Sequence, residues 1–195
     1  MPRSKLLDAM PMLLDSAKSN GVVAIDPGIR GGIALFTQPR SQEWRLESLD
    51  AMPTIPVDFY TLSPRRVTGC TWVDTQAIEV LLPKLSQGDW RPLVVVETQR
   101  ISPKQGGAIT IGANYGHALG WAARRGMPII QVHPASWKPS LGLTSDKDDS
   151  VAFFRQLFPK VTIKATDDGR AEAALIGYWA LGALDLIETT KWVAE

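Results

Sequence analysis

Val22-Val23-Ala24-Ile25-Asp26-Pro27-Gly28-Ile29-Arg30-Gly31-Gly32-Ile33-Ala34-Leu35-Phe36 is the stretch from which the fold is read. Four apolar residues run up to a carboxylate. A proline and three glycines then turn the chain, and four more apolar residues carry it back. Apolar, β-branched runs bounded by turn formers are strands, and two joined by a tight turn pair as an antiparallel hairpin. A third strand is expected at about residues 44–49. Further on, Leu93-Val94-Val95-Val96 has the composition of a strand buried on both faces, and residues 128–132 read as another buried strand. Helical spacing covers about 108–125, 146–157 and 169–188. Asp74 is placed to cap a helix reaching about Leu85, although Pro83 falls inside it. Residues 51–73, with Pro53, Pro56, Pro64 and Gly69, read as a loop insertion. The first twenty residues read as a short amphipathic N-terminal extension, broken or kinked near Pro11. Three antiparallel strands followed by alternating helix and strand give an α/β fold: a mixed five-stranded sheet with helices on both faces. Residues 21–195 form its single domain.

Composition bounds the function. A chain of 195 residues with 45% hydrophobic content can bury one substantial core. It has no apolar run of about 18 residues, so no membrane partner is expected, and its start lacks the apolar core of a secretory signal. The single cysteine, Cys70, excludes an internal disulfide and any paired-cysteine zinc site, and fits a reducing, cytoplasmic setting. Lys and Arg number 21 against 20 Asp and Glu, so the net charge is +1. Between Thr98 and Lys147, however, six basic residues (Arg100, Lys104, Arg124, Arg125, Lys138, Lys147) face one acid, Asp146. This excess points to an anionic partner or to a chance solvated face.

Asp26 and Glu97 each end an apolar strand, where a carboxylate projects into a crevice instead of being buried. Asp168 and Glu172, four residues apart, share one helix face bordering the core. Like charges so placed weaken a helix unless a cation lies between them. Asp167 lies off that face and reads as a cap. Four converging carboxylates without Cys or clustered His suit Mg²⁺ or Mn²⁺. Two such ions clamp the attacking and leaving oxygens of a phosphoryl displacement, so a phosphodiester backbone is the expected substrate.

These residues carry a resemblance. Val23-Ala24-Ile25-Asp26-Pro27-Gly28, Val94-Val95-Val96-Glu97 and Asp168-Gly169-Arg170-Ala171-Glu172-Ala173, in that order, resemble RuvC-type Holliday junction resolvases of the ribonuclease H-like superfamily, over about residues 21–188. His133-Pro134-Ala135-Ser136-Trp137-Lys138, followed by Lys147, is most similar to the bacteriophage branch. The resemblance implies a homodimeric endonuclease that cuts four-way DNA junctions in a bacterial or phage-infected cytoplasm. It implies that Asp26, Glu97, Asp168 and Glu172 bind two Mg²⁺ ions, for which Mn²⁺ substitutes, and that Lys138 and Lys147 lie near the scissile phosphate. The bacterial branch spaces its last acidic pair three apart, against four here. It also carries an aromatic wedge where Thr98-Gln99-Arg100-Ile101 stands, leaving Arg100 and Ile101 as substitutes, with Lys104 as a further DNA contact. No nucleotide cofactor is expected, since the actin-like ATPases that share the Asp-Pro-Gly hairpin need a second similar domain. A non-catalytic DNA-binding module of the same fold is the other alternative.

Four further features have two readings each. His117 reads as structural, and His133 as structural or as a residue near the site. Trp121 and Trp137 are core residues or base-stacking platforms. Gly112, Gly116 and Gly120 form a stripe on one helix, where glycine costs about 1 kcal/mol against alanine. Close approach of another backbone, either the protein's own sheet or a second copy, would compensate.

Overall fold

The computed structural model describes residues 3–39, 43–62, 65–82, 89–99 and 107–187. β1 (Val22–Asp26) and β2 (Gly32–Thr37) form the expected hairpin, with Asp26 opposite Gly32, and β3 (Arg45–Ala51) pairs antiparallel with β2. β6 (Leu93–Glu97) lies parallel to β1, and β7 (Ile129–Val132) parallel to β6, giving the sheet order β3-β2-β1-β6-β7. The alternation of side chains along β1 and β6 supplies both cores. Val22, Ala24, Leu93 and Val95 face one layer, whereas Val23, Ile25, Val94 and Val96 face the other. The first layer holds α1 (Arg3–Asn20), α4 (Pro134–Ser140), α5 (Lys147–Leu157) and α6 (Asp168–Ala183). The second holds α2 (Thr75–Leu81) and α3 (Ala108–Arg124). The mixed five-stranded sheet with helices on both faces is the fold expected.

Several local expectations are corrected. Residues 54–73 are not a loop but a two-stranded ribbon, β4 (Thr54–Leu62) and β5 (Arg65–Val73). Pro56 is accommodated because both strands of such a ribbon are edge strands, where a missing N–H is tolerated. α1 runs through Pro11, which lies on its exposed side, where water can satisfy the carbonyl that proline frees. Leu13 and Ala17 of α1 join the core. β7 is only partly buried, since it is an edge strand with Gln131 exposed. α2 stops at Leu81, and the expected continuation to Leu85 lies outside the described residues. α6 ends at Ala183, short of the expected 188. α4 was not expected, although Pro134 at its first turn is a helix-start signal. Among the described residues, no helix is long and apolar enough to cross a membrane.

Candidate active site

Ile25 lies opposite Val96 in the parallel pair, so the carboxylates that end these strands, Asp26 and Glu97, are neighbours at the C-terminal end of the two strands. α6 brings the other two. Its first turn docks on the β1–β2 turn through a parallel bridge between Gly31 and Gly169. A Cβ on Gly169 would lie 2.0 Å from the Arg30 carbonyl oxygen, and one on Gly32 would lie 2.7 Å from the Arg170 Cα. Backbone touches backbone here, and only glycine permits it. Arg170 adds two anchors: Nη2 donates to the Leu49 carbonyl at 2.9 Å and Nη1 to Asp167 at 3.1 Å. Asp167 is thus the N-cap residue expected, but its carboxylate accepts from the Lys164 N–H instead of capping the helix. Asp168 and, one turn on, Glu172 then join Asp26 and Glu97 in lining a single cavity of about 600 Å³.

The electrostatics record the crowding. Asp26 Oδ1 accepts the Gly28 N–H at 3.1 Å, yet its carboxyl is pushed up to about 6, by burial first and then by Glu172 and Asp168. Glu97 is pushed up to about 7 by burial and the charge of Asp26, while a hydrogen bond from Trp137 Nε1 at 2.8 Å pulls the other way. Glu172 is 9% exposed and shares one oxygen between Lys138 Nζ at 2.6 Å and Ser150 Oγ at 3.2 Å. Lys147 Nζ donates to Asp168, which raises the lysine's own pKa.

As the side chains stand, no group of three His, Cys, Asp or Glu among the described residues is drawn tightly enough together to hold an ion. Two lysines satisfy Glu172 and Asp168 instead. The donor set nonetheless fits a hard divalent cation. The four acids facing the cavity offer only oxygen, and no Cys or His lines it.

The other expected residues sort as follows. Arg100, Ile101 and Lys104 lie outside the described residues. Arg124 and Arg125 both pair with Glu79 of α2, at 3.1 and 2.7 Å, at the far end of α3 from the cavity, so the described basic residues of the middle segment do not form one surface. His117 packs edge-on against Trp72, ring centroids 4.8 Å apart, and His133 caps α4 by accepting the Ala135 N–H at 3.1 Å. Both are structural. Trp121 is 2% exposed and Trp137 fully buried, so neither is a stacking platform. A Cβ on Gly116 or Gly120 would meet nothing within 4 Å, so at these positions the stripe does not pack on the sheet. Trp137 as a partner of Glu97, and Ser150 as a partner of Glu172, were not foreseen. A serine among Val151 and Phe154 on the buried side of α5 was the available signal.

The structure is thus an α/β protein whose mixed sheet carries carboxylates at the ends of its first and fourth strands in sequence, with two more on its last helix. No family model matches the chain. Over 127 residues, 60% of its length, it is 35% identical to the chloroplastic Holliday junction resolvase of Chlamydomonas reinhardtii, of which the match spans 14%. Among solved structures it is similar to Thermus thermophilus RuvC in complex with Holliday junction substrate, 16% identical over 83% of this chain and 95% of that one, with a TM-score of 0.48. It is also similar to the yeast mitochondrial Holliday junction resolvase, 13% identical over 89% and 85%, with a TM-score of 0.44. The sequence match meets the resemblance to Holliday junction resolvases, and the matched relative is chloroplastic, not of a bacteriophage.

Proposed function

We propose that the protein is a divalent-metal-dependent endonuclease that resolves four-way DNA junctions. The observation that carries this reading is the convergence of Asp26, Glu97, Asp168 and Glu172 on one cavity, with Lys138 and Lys147 beside them. Asp26, Glu97, Asp168 and Glu172 would hold two Mg²⁺ ions, with Mn²⁺ as a substitute. When bound, the pair supplies Lewis-acid activation of water and neutralises the departing 3′ oxygen. Water adds to phosphorus as the bond to O3′ breaks, leaving a 5′-phosphate and a 3′-hydroxyl.

The chain's own residues prepare this step. Trp137 fixes one oxygen of Glu97, and the Gly28 N–H fixes one of Asp26, so each carboxylate presents a defined face to the cavity. Lys138 and Lys147, once released from Glu172 and Asp168, are free to meet phosphate charge. Cutting two strands of like polarity requires two sites, which a twofold dimer supplies. The outward face of α3, bare at Gly116 and Gly120, is the proposed contact. The proposed setting is the cytoplasm of a bacterium or a phage-infected host, on the strength of the resemblance of residues 133–138 to the bacteriophage branch.

Cleavage of labelled four-way junction, fork, flap and linear DNA in Mg²⁺, Ca²⁺ or chelator tests the reading. Paired cuts in the junction, dependent on Mg²⁺, are expected. A protein that binds junctions but never nicks them would be a non-catalytic module.

A further inference from the structure

The carboxylates occupy one side of the cavity, and its other side is built from the start of α3. Gly107, Thr110, Ile111 and Asn114 line it there. Asn114 is 2% exposed, and its carboxamide oxygen is taken by the Val73 N–H at 2.9 Å. That bond anchors the last residue of the β5 ribbon strand and fixes which way the amide points. The amide nitrogen makes no hydrogen bond to any described residue. Asn114 itself lines the cavity. A buried residue that spends its acceptor on the backbone and turns an unused NH₂ toward a cavity is a donor awaiting an acceptor.

The helix around it has the same polarity. α3 follows Gly107, whose φ of 80° sets the chain in the left-handed region and which has no side chain with which to cap the helix. The first-turn N–H groups carry the positive end of a 17-residue helix dipole. One cavity thus has an acidic wall suited to cations and a donor wall suited to an anion.

We propose that Asn114 Nδ2 and the first-turn N–H groups of α3 form a subsite for one DNA backbone phosphate adjacent to the scissile one. This holds the strand across the cavity while the carboxylates act on its neighbour. The proposal rests on the junction-cleaving reading above and adds a residue and a contact to it. Because Asn114 also holds Val73, the subsite would tie the β4–β5 ribbon to the bound strand.

The test is a set of junctions in which single phosphates flanking the cut are replaced, one at a time, by neutral methylphosphonate. Binding to wild type, Asn114→Ala and Asn114→Asp is measured in Ca²⁺. The aspartate keeps the acceptor for Val73 and removes the donor, so it reports even if the alanine variant fails to fold. Each variant is expected to bind the native junction about tenfold more weakly than wild type. That loss should vanish at one methylphosphonate position, while Mn²⁺ binding by Asn114→Ala in the absence of DNA stays at the wild-type level. A loss of equal size at every position would make Asn114 a structural clamp only and overturn the subsite. If wild type neither binds nor cuts junctions, the functional reading falls, and the subsite with it. If wild type cuts normally and the losses never localise, the subsite falls alone.

Discussion

Asp26 and Glu97 hold carboxyl groups raised to about 6 and about 7 from ordinary values of 3.8 and 4.5. The folded protein therefore binds protons more tightly than the unfolded chain between about pH 4 and pH 7. Stability from these groups is fully present below the unfolded values and is lost as pH rises through 6 and 7. In chelator, thermal melting should fall over that range more steeply for wild type than for an Asp26→Asn, Glu97→Gln variant, and saturating Mg²⁺ should flatten the wild-type curve. Equal slopes in chelator would mean that the two acids do not strain the fold. Lys138 belongs to the same account. Its partner Glu172 is largely buried, and removing one member of a buried pair strands the other. Lys138→Met should cost about 3 kcal/mol, or roughly 6–12 °C in melting temperature, with part of the loss restored by Mg²⁺. A melting point within a degree of wild type in chelator would show that Glu172 finds other compensation.

At the scale of elements, the site depends on how α6 meets the β1–β2 turn. Gly169→Ala places a methyl where the Arg30 carbonyl lies, so α6 must shift and carry Asp168 and Glu172 with it. Overpacking of this kind costs about 1–3 kcal/mol. Cleavage should fall by at least tenfold while junction binding persists, as read by gel shift alongside cutting, and full activity would show that the contact does not set the geometry. Gly116→Leu should do the reverse. A leucine there meets open space within its own chain, so melting should be unchanged while light scattering shifts toward monomer and junction cutting yields single nicks. A variant that stays dimeric with paired cuts would move the interface elsewhere. These two glycine sites also mark what the sequence could tell. The strands, the acid positions and α6 were legible because a fully apolar strand and a same-face acidic pair leave periodic traces. The Gly31–Gly169 contact was not, because it joins residues far apart in the chain. The β4–β5 ribbon was hidden by Pro56 and Gly69, which act as breakers in a central strand but are harmless in a ribbon with two free edges. α4 is seven residues long, too short to show a period. Burial against distance in sequence also explains why Trp137, read as core or stacking, turned out to be the partner of Glu97.

For the whole molecule, the described basic residues of the middle segment resolve into separate pairs. Arg124 and Arg125 answer Glu79 on the far side, while Lys138 and Lys147 answer the site's own acids. Those four residues therefore do not make one DNA-binding surface, and the convergence of the four acids on one cavity carries the functional reading. The proposed function requires that the four-carboxylate cavity cut junctions with divalent metal. The most direct measurement is cleavage of a supercoiled cruciform plasmid by wild type and Asp26→Asn, each in Mg²⁺ and in chelator, with junction binding followed in parallel. Linear product is expected from wild type in Mg²⁺ alone, and none from Asp26→Asn, which should still bind the junction and should melt higher than wild type in chelator. Linear product from Asp26→Asn at the wild-type rate, or from wild type in chelator, would contradict it.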